Sequence, residues 1–387
     1  MNSTQLSTAE DLMLEFAQRS GLTGSHPSDR YLWTDAFAVC NFIALYHAKK
    51  DTYYLSLAKK LISDVHKVLG RYAPESGKKG YISALPPDEA ALHPTIGGLR
   101  IGKKEPERPK GEAYDPEKEW DRDGQYFHYL TKWMHALIRM SEASHELQYM
   151  LWAAELAKTA HKAFTYRDEQ GTLHMYWKMR IDLSAPLVPS MGQLDPLDGM
   201  VTFSLIKAKL KEWKIDELNP DDAIADMREM CQNINTLTND PLGLGGLLSD
   251  SFFLSALISA GYNREDEIVL ERILNDSARG MASFLSTPTL HLPAAYRLAF
   301  RELGLAIGLH ALEKSETKIK GNKEAFSRLS SLLELLAINR KFIPVGEAIE
   351  IFWLEPENRK ATSWNAHSNI NTVMLATALL SDGYLSF

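Results

Sequence analysis

Cysteine is almost missing from this chain of 387 residues: Cys40 and Cys231 are the only two. Two thiols cannot build a disulfide framework or a cysteine-rich zinc site. Each lies in an apolar helical context, which predicts a buried free thiol. No run approaches the roughly 18 uninterrupted apolar residues that span a bilayer. Met1 to Glu10 has neither the basic nor the apolar region of a signal peptide. These absences predict a soluble, cytoplasmic protein without a membrane partner. Basic charge is also short, with 43 Lys and Arg against 50 Asp and Glu, a net charge of −7. The densest basic stretch, Lys103, Lys104, Arg108 and Lys110, is broken by Glu105, Glu107 and Glu112, so it reads as a solvated loop and no nucleic-acid partner is expected. HExxH, EF-hand, GxSxG and P-loop signatures are absent, and neither a metal nor a cofactor is expected. Gly97-Gly98-Leu-Arg-Ile-Gly102 superficially suggests a phosphate loop, but no strand precedes it and no helix follows at once.

Alternating β-branched runs are scarce too, and what remains is helical periodicity of two kinds. Six segments are apolar around most of their circumference: 31–48, 124–140, 199–210, 247–260, 294–312 and 365–380. A helix with so little polar face has to be surrounded by other elements. Six others carry charge on one side: 7–19, 52–70, 145–164, 221–235, 264–285 and 322–339. In 52–70 the stripe is Leu55, Ala58, Leu61, Ile62, Val65 and Leu69, while Lys59, Lys60, Asp64 and Lys67 face away. The two kinds alternate along the chain. An inner ring of six buried helices wrapped by six amphipathic ones, an all-α (α/α)6 barrel, accounts for this. A solenoid also alternates, but it would show a fixed repeat length and a recurring pattern. No Pro/Gly/Ser-rich linker divides the chain, so one domain over 1–387 is expected, with a long insertion at 71–120. A loop of that length is often functional. A second connection, Tyr166 to Gln193, is expected to hold a short hairpin.

Polar residues of the apolar segments gather at or just before their first turns. The first offers Trp33 and Asp35, the second Trp120, Arg122, Asp123, Tyr126 and His128, the third Asp195 and Asp198. The fourth offers Asp250, the fifth Arg297 and Arg301, the sixth Trp364 and His367. Inner helices running the same way would bring these termini to one mouth. Helix capping accounts for Asp29, Asp195 and Asp121. It explains Asp123, Asp198 and Asp250 less well, because a buried carboxylate is costly unless paired. Trp33, Trp120 and Trp364 beside acids suit the apolar face of a sugar ring. His47, His66, His135, His161 and His310 lie mid-helix or late in a helix and read as structural or surface residues.

Twelve alternating helices with acid and aromatic clusters around Asp35, Asp123 and Asp198 resemble the six-hairpin glycosidase-like superfamily. The resemblance is architectural and implies two branches. Among glycoside hydrolases, Asp123 would be the proton donor, desolvated by Trp120 and Tyr126, and Asp35 or Asp198 the base. Among N-acylglucosamine 2-epimerases and their relatives, His128 and His367 would be the acid–base pair. In either, Arg100, Arg122 and Arg297 would bind an anionic group on a small saccharide, with Arg100 turned into the mouth from the 71–120 segment. A non-catalytic carbohydrate-binding barrel is the third possibility.

Overall fold

The computed structural model describes residues 3–24 and 29–387. All twelve expected helical segments are helices, as α1 Ser3–Arg19, α2 Leu32–Lys49, α3 Thr52–Leu69, α4 Pro87–Leu92, α5 Pro116–Asp121, α6 Phe127–Ser144, α7 Leu147–Phe164, α8 Asp195–Glu212 and α9 Asp221–Cys231 show for the first part of the chain. The rest follows as α10 Pro241–Ser259, α11 Glu267–Leu285, α12 Ala299–Gly321, α13 Leu329–Arg340, α14 Ile343–Leu354, α15 Thr362–Ala366, α16 Ser368–Leu379 and α17 Ser381–Tyr384. The chain divides into two compact units. One is Ala17–Asn233; the other is Ile234–Phe387 together with the N-terminal stretch through Phe16.

The first unit is built from three helical hairpins, α2–α3, α6–α7 and α8–α9, with α2 against α6 and α6 against α8. α2 is buried continuously from Leu32 to Leu45, as its lack of a polar stripe requires. α3 instead buries Leu57, Ala58, Leu61, Ile62, Val65 and Leu69 on one face. Asp51 ends the α2–α3 turn by accepting the Tyr53 N–H at 2.9 Å, an N-cap that satisfies one free donor. The connection after α7 carries the expected hairpin, β2 Thr165–Arg167 with β3 Leu173–Met175. It also carries Lys178–Met179, which pairs with Gln125–Tyr126 ahead of α6 and with Pro186–Val188.

The 71–120 insertion is not a free loop. Leu99 and Ile101 are fully buried, and its 100–102 stretch is hydrogen-bonded on both sides. Arg100 N–H donates to Leu69 O, Ile101 N–H to Gly124 O, and Leu32 N–H to Ile101 O, at 2.9–3.0 Å. The segment thereby fixes the ends of α2, α3 and α6 relative to one another.

In the second unit α10 packs on α11 and α12, and α12 on α13, α14 and α16. α10 is long and apolar enough in composition to cross a membrane, with a mean hydropathy of 1.5, yet 78% of that stretch is buried among its neighbours. α10 and α12 approach to backbone contact through Gly245, Gly304 and Gly308: a Cβ on Gly245 would coincide with the Gly304 carbonyl, and one on Gly308 would lie 2.6 Å from the Gly245 Cα. Neither helix can yield without moving as a body. Gly245→Ala is therefore expected to destabilise by about 1–3 kcal/mol, the usual cost of overpacking. Gly246→Ala, one residue away with open space around it, is the control in urea unfolding; equal effects would show that helix propensity rather than close approach matters.

Two boundaries differ from the periodicity. The 322–339 segment becomes helical only at Leu329, because Glu267 accepts the Ser327 and Arg328 N–H groups at 3.0 and 2.6 Å and holds the chain off-helix before that point. α14 has no counterpart in the sequence reading. Pro344 sits within its first turn, where a missing N–H costs nothing. Its Glu350 meets His310 of α12 at 2.6 Å.

Candidate active site

Within the first unit the starts of α2, α6 and α8 come together. The Tyr31 and Tyr129 hydroxyls share a hydrogen bond of 2.7 Å, and Trp33 lies 6.5 Å from the Tyr129 ring. Tyr126, Trp177 and His128 form a parallel stack, Tyr126 being 4.9 Å from Trp177 and 5.4 Å from His128 between ring centres. Trp120, 57% exposed, continues this aromatic wall at 6.3 Å from Trp177. The strand pairing of Gln125–Tyr126 with Lys178–Met179 sets the wall's geometry, since it fixes the backbone of two of its rings.

At the foot of this wall is a polar group of four side chains. Asp198 accepts from Thr131 Oγ1 at 2.5 Å and from Lys132 Nζ at 2.7 Å, so its charge is compensated. Asp195, one turn earlier, has no such partner. Its Oδ2 is buried without a hydrogen bond among the described residues, and its Oδ1 lies 3.7 Å from Nδ1 of His128. Burial, and then the Asp198 charge, push the Asp195 carboxyl up to about 8. Burial pushes the His128 imidazole down to about 4, although about a third of the side chain is open. At neutral pH the proton therefore resides on the acid and the imidazole is neutral. Lys103 reaches the other edge of the wall, where its Nζ bonds the Trp120 carbonyl and approaches the Tyr126 hydroxyl at 3.4 Å. Burial, and then Lys178, lower its pKa to about 8.

The residues expected from the sequence are distributed differently from the expectation. Asp123 is not an open carboxyl. It is ion-paired with Arg100, and its other oxygen accepts the N–H groups of Gly102 and Gly124 at 3.1 and 3.0 Å. Held by one cation and two backbone N–H groups, it anchors the 71–120 segment. Arg100 is likewise not turned toward a ligand, because it also donates to Arg71 O and Val68 O. The residue of that segment beside the aromatic wall is Lys103. Asp35 is buried beside Arg30 at 3.4 Å and accepts the Tyr31 N–H at 3.1 Å, closing the first turn of α2. Burial nonetheless pushes it up to about 6. Arg122 is held by Glu112 at 2.8 Å, and Trp33 and Tyr126 are buried in the wall rather than presented on it.

His367, Asp250, Arg297 and Trp364 belong to the second unit. His367 is exposed ahead of α16, edge-on to Phe300 at 5.5 Å. Asp250 is buried in α10. Arg297 is not free to clamp a substrate: it is buried, doubly hydrogen-bonded to Glu302, and lies 3.7 Å over the Phe352 ring. Glu302 is shared with Trp353 Nε1 at 2.8 Å, and Trp364 packs on Trp353 at 5.6 Å.

Asp195 is the residue that sequence reasoning set aside, as a helix cap. The cap position is Leu194, and the Asp195 side chain caps nothing. The sequence held one clue, three residues on: a second carboxylate, Asp198, on the same helical turn. What distinguishes them, the Lys132 ammonium, comes from another helix. Tyr129, Lys103 and Lys132 had no signal beyond their residue type.

No family model matches the chain, and no curated protein matches it. Among solved structures it is similar to a cellobiose 2-epimerase from Spirochaeta thermophila DSM 6192, at 12% identity and a TM-score of 0.48, over 98% of this chain and 99% of that one. It is also similar to a sugar epimerase from a ruminal bacterium, at 10% identity and a TM-score of 0.51, over 96% and 98%. The second likeness agrees with the hairpins described above, and the chain has an all-α (α/α)6 barrel fold.

Proposed function

We propose that this protein is a carbohydrate-active enzyme that moves a proton at C2 of a small reducing sugar, as a 2-epimerase or an aldose–ketose isomerase. The observation that carries this reading is the pair His128 and Asp195, a neutral imidazole beside a protonated carboxyl under an aromatic wall. A C2 proton next to the carbonyl of an open-chain aldose needs a base on carbon and a proton donor on oxygen. His128 would accept the C2 proton while Asp195 gives its proton to O1, producing a neutral enediol beside an imidazolium and a carboxylate. Return of the His128 proton to C1, while the Asp195 carboxylate takes the O2 proton, gives a ketose. If the enediol first turns about its C2–C3 bond, His128 returns the proton to the other face of C2 while Asp195 takes back the O1 proton, which gives the epimer. Trp120 and Trp177 would stack on the sugar, and Lys103 would bond its hydroxyls. The fold resemblance to a protein titled a sugar epimerase supports the same class.

Hydrolysis is supported less well. It needs two carboxyls flanking the glycosidic bond. Asp195 and Asp198 lie on one turn of one helix and so on one side of a bound sugar, while Asp35 and Asp123 are ion-paired. Incubating a panel of aldoses and reducing disaccharides with the protein in deuterated water separates the readings by proton NMR. The expected result is loss of the C2 proton signal with no new reducing ends, abolished in His128→Ala. New reducing ends with C2 unlabelled would replace this proposal by the hydrolase one.

A further inference from the structure

Away from the aromatic wall the first unit has a cavity of about 300 Å³, bordered by α3, α4 and α7. Its walls are Ile62, Ala90, Ala91, Pro94 and the rings of Tyr81, Tyr149 and Trp152; its floor includes His66, and Lys59 and Lys67 stand among its lining residues. No carboxylate lines it.

Two of its mostly buried side chains carry donors that no acceptor meets among the described residues. Trp133 Nε1 donates to Nε2 of His66 at 3.1 Å, which requires the proton of this neutral ring to be on Nδ1. Burial keeps the ring neutral, with its pKa pushed down to about 3. His66 is 6% exposed, and among the described residues no acceptor meets Nδ1–H. Tyr149 is 7% exposed, and its hydroxyl likewise has no partner. Burial, and then Glu146, push its pKa up to about 12, so it stays a donor. Lys67 makes no ion pair among the described residues, whereas Lys59 is bound to Glu146. Neither His66 Nδ1 nor the Tyr149 hydroxyl is sealed in the packed interior, so both are open to whatever occupies the cavity.

We infer that this cavity is a binding site for a small aromatic carboxylate, held with its ring against Trp152 and its carboxylate on His66 Nδ1–H, the Tyr149 hydroxyl and the Lys67 ammonium. A flat apolar body matches the rings and alanines, and an acceptor-only head group matches a site that offers donors and no acceptor carboxylate. A sugar, which brings hydroxyl donors of its own, would leave them without charged partners there. None of these residues belongs to the catalytic group proposed above, so the inference stands apart from that reading.

Titration of the full chain with 4-fluorobenzoate, followed by fluorine NMR at pH 7, tests it. Saturable binding is expected, with the neutral 4-fluorobenzamide weaker by about tenfold, the worth of one charge-assisted hydrogen bond. Lys67→Gln and Tyr149→Phe, neither of which disturbs a bonded partner, should each weaken the benzoate about three- to tenfold and together by more than tenfold. His66→Phe is avoided because it strands the Trp133 N–H. Absence of saturation up to about 10 mM, a range that would detect even weak millimolar affinity, would overturn the inference. So would an amide that binds as tightly as the acid, or a double variant with wild-type affinity.

Discussion

Asp195→Asn is expected to lose catalysis and gain stability in the same substitution. The carboxyl is buried with one oxygen unbonded and holds its proton up to about 8, against 3.8 in the unfolded chain. Between those values the unfolded state releases this proton and the native state does not. Stability from this group therefore falls as pH rises through that window and levels off above about 8. An amide has no charge to penalise, so the variant should be more stable than wild type at pH 8 by about 1–3 kcal/mol, allowing for relaxation around the site. The two should converge near pH 4. Turnover should drop by about 10²-fold or more, the usual contribution of a positioned acid. In the wild type, the rate should fall above about pH 8 as Asp195 ionises and below about pH 4 as His128 gains a proton. Urea unfolding of both proteins at pH 5 and pH 8 is decisive. An Asn variant that is less stable at pH 8 would mean that the carboxylate is bonded, and the assignment of Asp195 as the acid would go with it.

Arg100→Met is expected to cost about 3–5 kcal/mol, because it leaves the Asp123 carboxylate buried without its cation, one of its three partners. Both side chains are nearly inaccessible, at 5% and 2% exposure, so solvent cannot replace the guanidinium. Loss of Arg100 also frees two carbonyls, Val68 O and Arg71 O, at the end of α3. Adding Asp123→Asn should recover part of the loss. The amide is uncharged, and its oxygen can still accept from Gly102 and Gly124. The checks are unfolding free energies of the two single variants and the double variant, together with proteolysis of the 71–120 segment. If the single Arg100 variant instead retained full stability and lost only ligand affinity, the guanidinium would be a substrate group after all.

How much of this was legible beforehand differs by residue, for one recurring reason. The α3 stripe and the continuous burial of α2 could be read directly, because the period of 3.6 is a property of the local chain. α14 could not. Its run Ile343–Leu354 has polar and apolar residues on no single stripe, and its Glu350 and Trp353 meet His310 and Glu302, 40 and 51 residues away. The same holds for the acids. Asp35, Asp123, Asp195 and Asp198 look alike in sequence, each beside an aromatic residue or a proline near a helix start. Arg100 and Lys132 approach two of them from other segments, Arg30 reaches a third from just ahead of α2, and the fourth has no cation among the described residues. Arginines misled for the same reason, since Arg100 and Arg297 found carboxylates inside the protein.

Sequence by itself determined the fold class, since the alternation of all-round apolar and one-sided helices leaves few ways to bury six apolar cylinders. It also determined that the first turns of the inner helices carry the polar residues. The tertiary structure alone decided which carboxyl keeps its proton, which histidine stands beside it, and that Lys103 rather than Arg100 borders the wall. Those outcomes are set by desolvation and by charges within a few ångströms, and both depend on residues distant in the chain.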